Sequence, residues 1–373
     1  MKQIDVLPDD VLLEIFDFYV NGEWYGGKSG KEAWISLVHV SRRWRSLVFR
    51  SPRRLNLRLY CSPETPAKDT LDLWPAFPLM ICGDMSFSGA ENVVTALREN
   101  NRVYEVYLWG IAARQLEEIL TVMQVPFPEL TDLDLNALNS NGDGETIPAI
   151  PDSFLGGSAP LLRNFTTYAI PFPGLSKLLS SAAANHLVEL WLRSIPHSGY
   201  ISPETMAAIL SPLSGLERLS LEFESPQSHP GWESQSLPSP KRFILPALGE
   251  FHFNGVTEYL EDLVTRIDIP HLRSMDIHFF NQIDFHCPRL VQFMSRTSTL
   301  KALDEAHIQF GGGAGSVKLR YRESKSRVEN LQITVLCQEP DWQLSSAEQV
   351  CSASLSLLSK VEDLYIEIGR AHV

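Results

Sequence analysis

The sequence predicts an α/β chain in which a small three-helix unit at the N-terminus precedes a right-handed β/α solenoid built on a parallel sheet. Three observations carry that reading. Apolar residues recur every three to four positions through much of the first fifty residues. From Val103 onward a six-residue pattern, apolar-x-x-apolar-x-apolar, returns repeatedly, its starts 24 to 33 residues apart. Between those segments lie stretches with helical apolar spacing. One strand and one helix per unit cannot close a core alone, but stacked copies can.

The helical unit spans residues 1–52. Pro8 suits a first helical position, which needs no amide donor, and Asp9 and Asp10 complement the positive end of the helix dipole. Leu12, Ile15, Phe16 and Tyr19 fall on one face, widened by Val11 and Phe18. The Gly-rich stretch from Asn21 to Gly30 ends this helix. A second series, Trp34, Leu37, Val38, Val40, Trp44, Leu47 and Val48, again has helical spacing. Three short helices cannot bury all this surface themselves, so a partner is expected.

Leu7-Pro8, the pair Ile15-Phe16 and the run Leu37-x-x-Val40-Ser41-Arg42-x-Trp44-x-x-Leu47 resemble an F-box. Ser41 stands where that family commonly has Cys, and the loop between the first two helices, from Val20 to Lys31, is longer than usual. The resemblance implies docking onto the Skp adaptor protein, and through it onto a cullin. Carried over residue by residue, the Skp contacts are Leu7, Pro8, Ile15, Phe16, Leu37, Val40 and Trp44.

Composition narrows the classes. With 44% hydrophobic residues the chain can build a core, and a net charge of −13 argues against general nucleic-acid binding. Arg42, Arg43, Arg45, Arg50, Arg53, Arg54 and Arg58 crowd one span, readable as a solvated face or as a dock for an acidic partner. The start of the chain lacks a signal-peptide pattern, and no apolar run approaches a membrane span. Five scattered cysteines without Cys-x-x-Cys fit free thiols in a reducing compartment, cytoplasmic and/or nuclear.

Residues 53–100 form a connector with the first strand and helix units. Arg54 to Tyr60 alternates as a strand, the Pro-rich stretch from Pro63 to Pro78 reads as loop, and Leu79 to Cys82 as a buried strand. The solenoid occupies 101–373. Its repeats start at Val103, Leu130, Leu187, Leu216, Leu248 and Leu272, with weaker copies at Leu162, Leu300, Val328 and Val361. Helices are expected over Glu91 to Asn100, Ala113 to Met123, Leu175 to Ala184, Pro203 to Leu210, Thr257 to Arg266 and Ala347 to Lys360.

These units resemble leucine-rich repeats. Where the strict motif has a buried Asn or Cys eight residues after the first Leu, this chain has Ile111, Leu138, Ile195, Val256, Phe280 and Ile308, with Glu224 and Gly369 breaking the pattern. The two resemblances imply an F-box followed by a leucine-rich-repeat-like solenoid, with an apolar turn in place of the amide ladder. The Ser- and Pro-rich insertion from Ser225 to Arg242 reads as a surface loop. Glu367 to Val373 resembles a translated sequencing-adapter sequence, so the gene product is expected to continue, leaving the strand from Val361 to Ile366 partly exposed.

Catalytic patterns are missing from the sequence. Gly311 to Gly315 lacks the Lys and Ser/Thr of a phosphate loop and leads into an extended Ser316 to Arg320. Neither His-Glu-x-x-His nor Gly-x-Ser-x-Gly occurs. Asp132 and Asp134 share a strand face, where paired carboxylates are more often solvated than catalytic. His252 and His278 approach each other on adjacent strands, as surface histidines rather than ligands. The expectation is a non-enzyme without cofactor or metal.

The concave face carries the residues between the apolar anchors. Exposed aromatics among charges make a binding surface. The substrate-binding candidates are Tyr107, Trp109, Asp134, Trp191, Arg193 and His252, beside Glu105, Asp132, Glu189, Arg218, Glu222, Asp276 and His278. The expected function is substrate recognition for a Skp–cullin–F-box ubiquitin ligase, the solenoid holding a protein substrate, with neither nucleic acid nor membrane as partner. The alternative is a Skp-bound scaffold without a degradative role.

Overall fold

In the computed structural model the described residues are 7–21, 33–52, 54–138, 146–179, 186–226, 242–280, 287–297, 299–300, 305–311, 314–320, 330–336, 345, 348–352 and 361–368. The N-terminal unit comprises α1 (Asp9–Asn21), α2 (Ala33–Val38) and α3 (Arg42–Arg50). Ser41 is the N-cap of α3: its hydroxyl accepts the Trp44 amide at 3.2 Å, satisfying a donor that the helix start leaves free. Arg43 joins the starts of α1 and α3, reaching the Asp9 carboxylate and the Leu7 carbonyl at 2.6 Å each. Leu12, Leu13, Phe16, Val20, Leu37, Val38, Leu47 and Val48 are buried between the helices.

Trp34 fixes this unit to the rest. Its indole is buried, donates to the Arg58 carbonyl at 3.0 Å, and meets Trp74 and Phe77 edge-on at 5.2 and 5.6 Å. Phe49 packs on the same two rings. These partners come from the connector, which is continuous with the main sheet.

That sheet begins with β1 (Leu59–Cys61), β2 (Leu79–Asp84), β3 (Val103–Ile111), β4 (Asp132–Ala137), β5 (Asn164–Tyr168), β6 (Glu189–Ile195) and β7 (Arg218–Phe223). After a short β8 (Phe243–Ile244) it continues through β9 (Glu250–Gly255) and, past β10 (Ile267–Asp268), through β11 (Ser274–Phe279). Each of these main-sheet strands runs parallel to the next, while β8 pairs with β10 apart from them. The connections carry α4 (Ala67–Leu73), α5 (Glu91–Leu97), α6 (Ala113–Val122), α7 (Leu175–Leu179), α8 (Pro203–Leu210), α9 (Thr257–Arg266) and α10 (Pro288–Arg296). Residues in β4, β9 and β11 alternate half-buried and buried, because period two sends the repeat anchors to the helix side and the residues between them to the other face.

Backbone bonds close the turns that a polar ladder closes in the strict repeat. Leu138 N donates to the Ile111 carbonyl at 2.9 Å, Glu224 N to Ile195 at 3.0 Å, and Phe280 N to Gly255 at 3.0 Å. Ile111, Ile195 and Phe280 are buried at these turns, whereas Leu138 is exposed. In β3 and β6 the turn follows a break in register, with Gly110 at φ +67° and Ser194 at φ +51°.

Several expectations are corrected. The strand expected over Arg54 to Tyr60 starts only at Leu59: β2 offers it three partners, and Leu55 and Leu57 are buried in a turn instead. The Pro-rich stretch read as loop holds α4, which starts directly after Pro66. Helix α10, with Pro288 at its first turn, lies where no helix was expected. The apolar face of α1 is split: Leu12 and Phe16 are buried with Leu13 and Val20, but Ile15 points outward.

The C-terminal part departs most. Its strands β12 (Glu305–Gly311), β13 (Ala314–Arg320), β14 (Asn330–Leu336) and β15 (Asp363–Ile368) do not stack in chain order. The order after β11 is β14-β13-β12-β15, and β13 runs antiparallel to both neighbours. Gly311 pairs with Ala314 at the end of the antiparallel β12–β13 ladder, so Gly311 ends a strand and Ser316 to Arg320 is extended, as the sequence suggests. Leu364, Tyr365 and Ile366 of β15 are exposed. The expected insertion at 225–242 and the last residues, 369–373, fall mostly or wholly outside the described residues, as do most of 347–360.

Candidate binding surfaces

Two surfaces stand out, one on α1 and one on the open face of the sheet. On α1, Val11, Ile15 and Phe18 lie at helical spacing on the side away from the core, and Pro8, just before the helix, is exposed as well. Ile15 is 46% exposed and Phe18 81%. Val40, in the turn between α2 and α3, is also exposed. Of the proposed Skp contacts, Pro8, Ile15 and Val40 are therefore on the surface and Leu7 and Trp44 half-buried. Phe16 and Leu37 are core residues: Phe16 is fully buried with its ring 4.7 Å from Trp44, and Leu37 faces inward. Phe18 and Val11, counted only as widening the apolar face, are the residues added.

Four of the six described arginines of the cluster are engaged within the chain. Arg43 pairs with Asp9, Arg54 with Glu14 and Arg58 with Glu105, while Arg45 donates to the Val38 carbonyl at 2.9 Å. These partners favour the solvated-face reading over a basic dock.

On the sheet, register lines up the residues between the anchors into rows. One row runs Tyr107, Asp134, Thr166, Trp191, Ser220, His252, Asp276 and Gln332. Burial pushes the Tyr107 hydroxyl pKa up, and the Asp132 carboxylate pushes it the same way. Burial also raises Asp134, against the opposing effect of the hydrogen bond it accepts from Asn136 at 2.8 Å. Asp132 is held by the Thr131 hydroxyl at 2.6 Å and by the Asn164 amide. Both carboxylates are thus fixed by amide and hydroxyl donors, an arrangement of structural polar residues.

Further along, β6 to β11 frame a shallow groove of about 210 Å³, lined among others by Trp191, Arg193, Arg218, Glu222, His252 and Asp276. Its charges form a connected chain. Arg218 pairs with Glu189, which accepts the Trp191 indole N–H at 3.0 Å. The Arg193 guanidinium lies over the Trp191 ring, 4.4 Å from its centre, and reaches Glu222 at 3.1 Å. Glu222 also accepts the buried Ser220 hydroxyl at 2.9 Å and faces His252 Nε2 at 3.6 Å. His252 Nδ1 lies 3.3 Å from one Asp276 oxygen, and His278 Nε2 lies 3.2 Å from the other. Burial raises the Asp276 carboxyl, but the His252 and His278 rings outweigh it and hold the group far below the usual carboxylate range.

The structure therefore brings Trp191, Arg193 and His252 into one groove. Tyr107, Trp109 and Asp134 stay outside it. Trp109 is 43% exposed on β3, three strands from β6, or about 14 Å at the usual strand spacing. Glu222 and Asp276 were noted as face residues, yet their part in the groove is central. The signal was positional: His252 and Asp276 each sit four residues after a repeat start, and so oppose each other.

No family model matches the chain, and no curated protein matches it in sequence. Among the described residues no helix is long and apolar enough to cross a membrane.

Proposed function

We propose that the chain is a non-enzymatic substrate-recognition adaptor of a Skp–cullin–F-box ubiquitin ligase. One observation carries the reading: the same helix, α1, buries Leu12, Leu13, Phe16 and Val20 completely or nearly so, and leaves Val11, Ile15 and Phe18 uncovered on its other side, with Pro8 exposed just before it. Apolar side chains that recur on one exposed helix face are a docking stripe. Val40 adds to the apolar surface from the neighbouring turn. The groove around Trp191, Arg193 and His252 then receives a protein substrate, its aromatic and guanidinium groups serving as anchors. Transfer chemistry belongs to another subunit, and the adaptor supplies proximity.

The test is co-purification of the full chain with Skp. Wild-type protein is expected to bring Skp and cullin down together, and Ile15→Asp with Phe18→Asp to bring down neither. Recovery of Skp by the double variant, or none by wild type, overturns the reading; Skp without cullin overturns the ligase part of it.

A further inference from the structure

Where His252 and Asp276 line the groove, His278 joins them in a cluster of three side chains able to ligate a metal ion. His252 and Asp276 face each other across β9 and β11, and His278 follows Asp276 by two residues on the same face. One ligand atom from each lies within 4.8 Å of the other two. His252 Nδ1 lies 3.3 Å from one Asp276 oxygen and His278 Nε2 3.2 Å from the other, each about the separation of two donors on one tetrahedral Zn2+. Asp276 Oδ1 is closed to solvent and accepts no hydrogen bond, although an imidazole nitrogen is that near. The two rings already favour the ionised carboxylate, and a cation seated among the three side chains would meet that oxygen directly.

We propose that His252 Nδ1, His278 Nε2 and the Asp276 carboxylate form a three-ligand site for a divalent transition metal ion of the Zn2+ type. The surroundings fit the assignment. When Nδ1 of His252 binds the ion, its Nε2–H points at Glu222, the carboxylate partner that orients a metal-bound imidazole. Glu222 is itself held by Arg193 and the buried Ser220, so the ring is braced from behind. Two imidazoles and one carboxylate select Zn2+ or its neighbours over Mg2+ and Ca2+, which take oxygen ligands. Three protein ligands leave a fourth position beside the groove that His252 and Asp276 also line. A donor side chain of a bound protein completes it.

The site needs no Skp, so it is tested on the chelator-washed full chain alone and stands or falls apart from the adaptor reading. Zn2+ titrated calorimetrically is expected to bind one ion per chain and raise Tm, and Co2+ to give visible d–d bands; Mg2+ does neither. Asp276→Asn and His278→Gln each weaken Zn2+ binding at least about tenfold, and Glu222→Gln weakens it about tenfold through the ring it orients. His39→Gln, at an exposed turn, changes nothing. Metal-free unfolding midpoints show that the variants fold, and His278→Gln decides where Asp276→Asn does not. Zn2+ affinity unchanged by His278→Gln, or undetectable in wild type, overturns the proposal.

Discussion

The Trp34 indole N–H donates to the Arg58 carbonyl at 3.0 Å, and this bond ties the helical unit to the strand end of the sheet. The ring also sits against Trp74 and Phe77. Trp34→Phe keeps most of the packing and orphans the carbonyl, costing about 1–3 kcal/mol. Trp34→Ala opens a cavity and costs about 3–5 kcal/mol. Urea unfolding measures both, and limited proteolysis of Trp34→Ala shows earlier release of the first fifty residues.

Ile15 and Phe16 are neighbours in sequence with opposite duties. Phe16→Ala removes a fully buried ring and lowers stability by about 3–5 kcal/mol. Ile15→Asp changes a surface residue and stays within about 0.5 kcal/mol of wild type. If the proposed adaptor role holds, the same Ile15→Asp is expected to weaken Skp capture. Thermal melts beside a pull-down separate the two effects, and a large loss of stability in Ile15→Asp contradicts the outward placement of that side chain.

Gly110 holds φ at +67° in the register break between β3 and β4. A Cβ there meets Ser86 Oγ and Asp84 Oδ1. Gly110→Ala combines the left-handed penalty with that collision and destabilises by about 1–3 kcal/mol. Ala169, at φ +57°, bears the same backbone cost without relief. Ala169→Gly is neutral or stabilising by less than about 1 kcal/mol. Denaturant midpoints of the two variants shift in opposite directions, or Ala169→Gly does not shift.

Asp134 titrates higher in the folded chain than in the unfolded one, chiefly because burial disfavours its charge. Its ionised form therefore reduces stability above the folded-state pKa, and that cost fades as pH falls towards the unfolded value of 3.8. Asp134→Asn, neutral at every pH, is expected to melt at or above wild type near neutrality. The difference closes in acid. A variant that melts lower at pH 7 shows that the carboxylate is stabilising instead.

The repeat was legible because its anchors are apolar at a fixed spacing, and every start from Val103 to Leu272 leads into a strand of the main sheet. Helices Pro203–Leu210 and Thr257–Arg266 coincide with their expected spans, since Ser202 and the repeat turn mark their beginnings. The split of α1 was not legible: Ile15, Phe16 and Phe18 are equally apolar, and only packing against α2 and α3 decides which faces in. The same holds for β12 to β15, where each strand is recognisable but strand order depends on long-range pairing. The groove was half legible. Trp191, Arg193 and His252 stood out by type, whereas Asp276 gained its importance from the register that sets it between two imidazoles.

The strand order after β11 bears on how the chain is made. Through Phe279 each new strand of the main sheet finds its neighbour already waiting, so assembly of that sheet can keep pace with synthesis. The edge of β11 then stays open until Asn330 to Leu336 emerges, because β12 and β13, though translated earlier, attach only through β14. For that interval the nascent polypeptide carries an unmated edge and a loose hairpin, the situation in which chains capture one another. Ribosome-associated chaperones would find their longest task there.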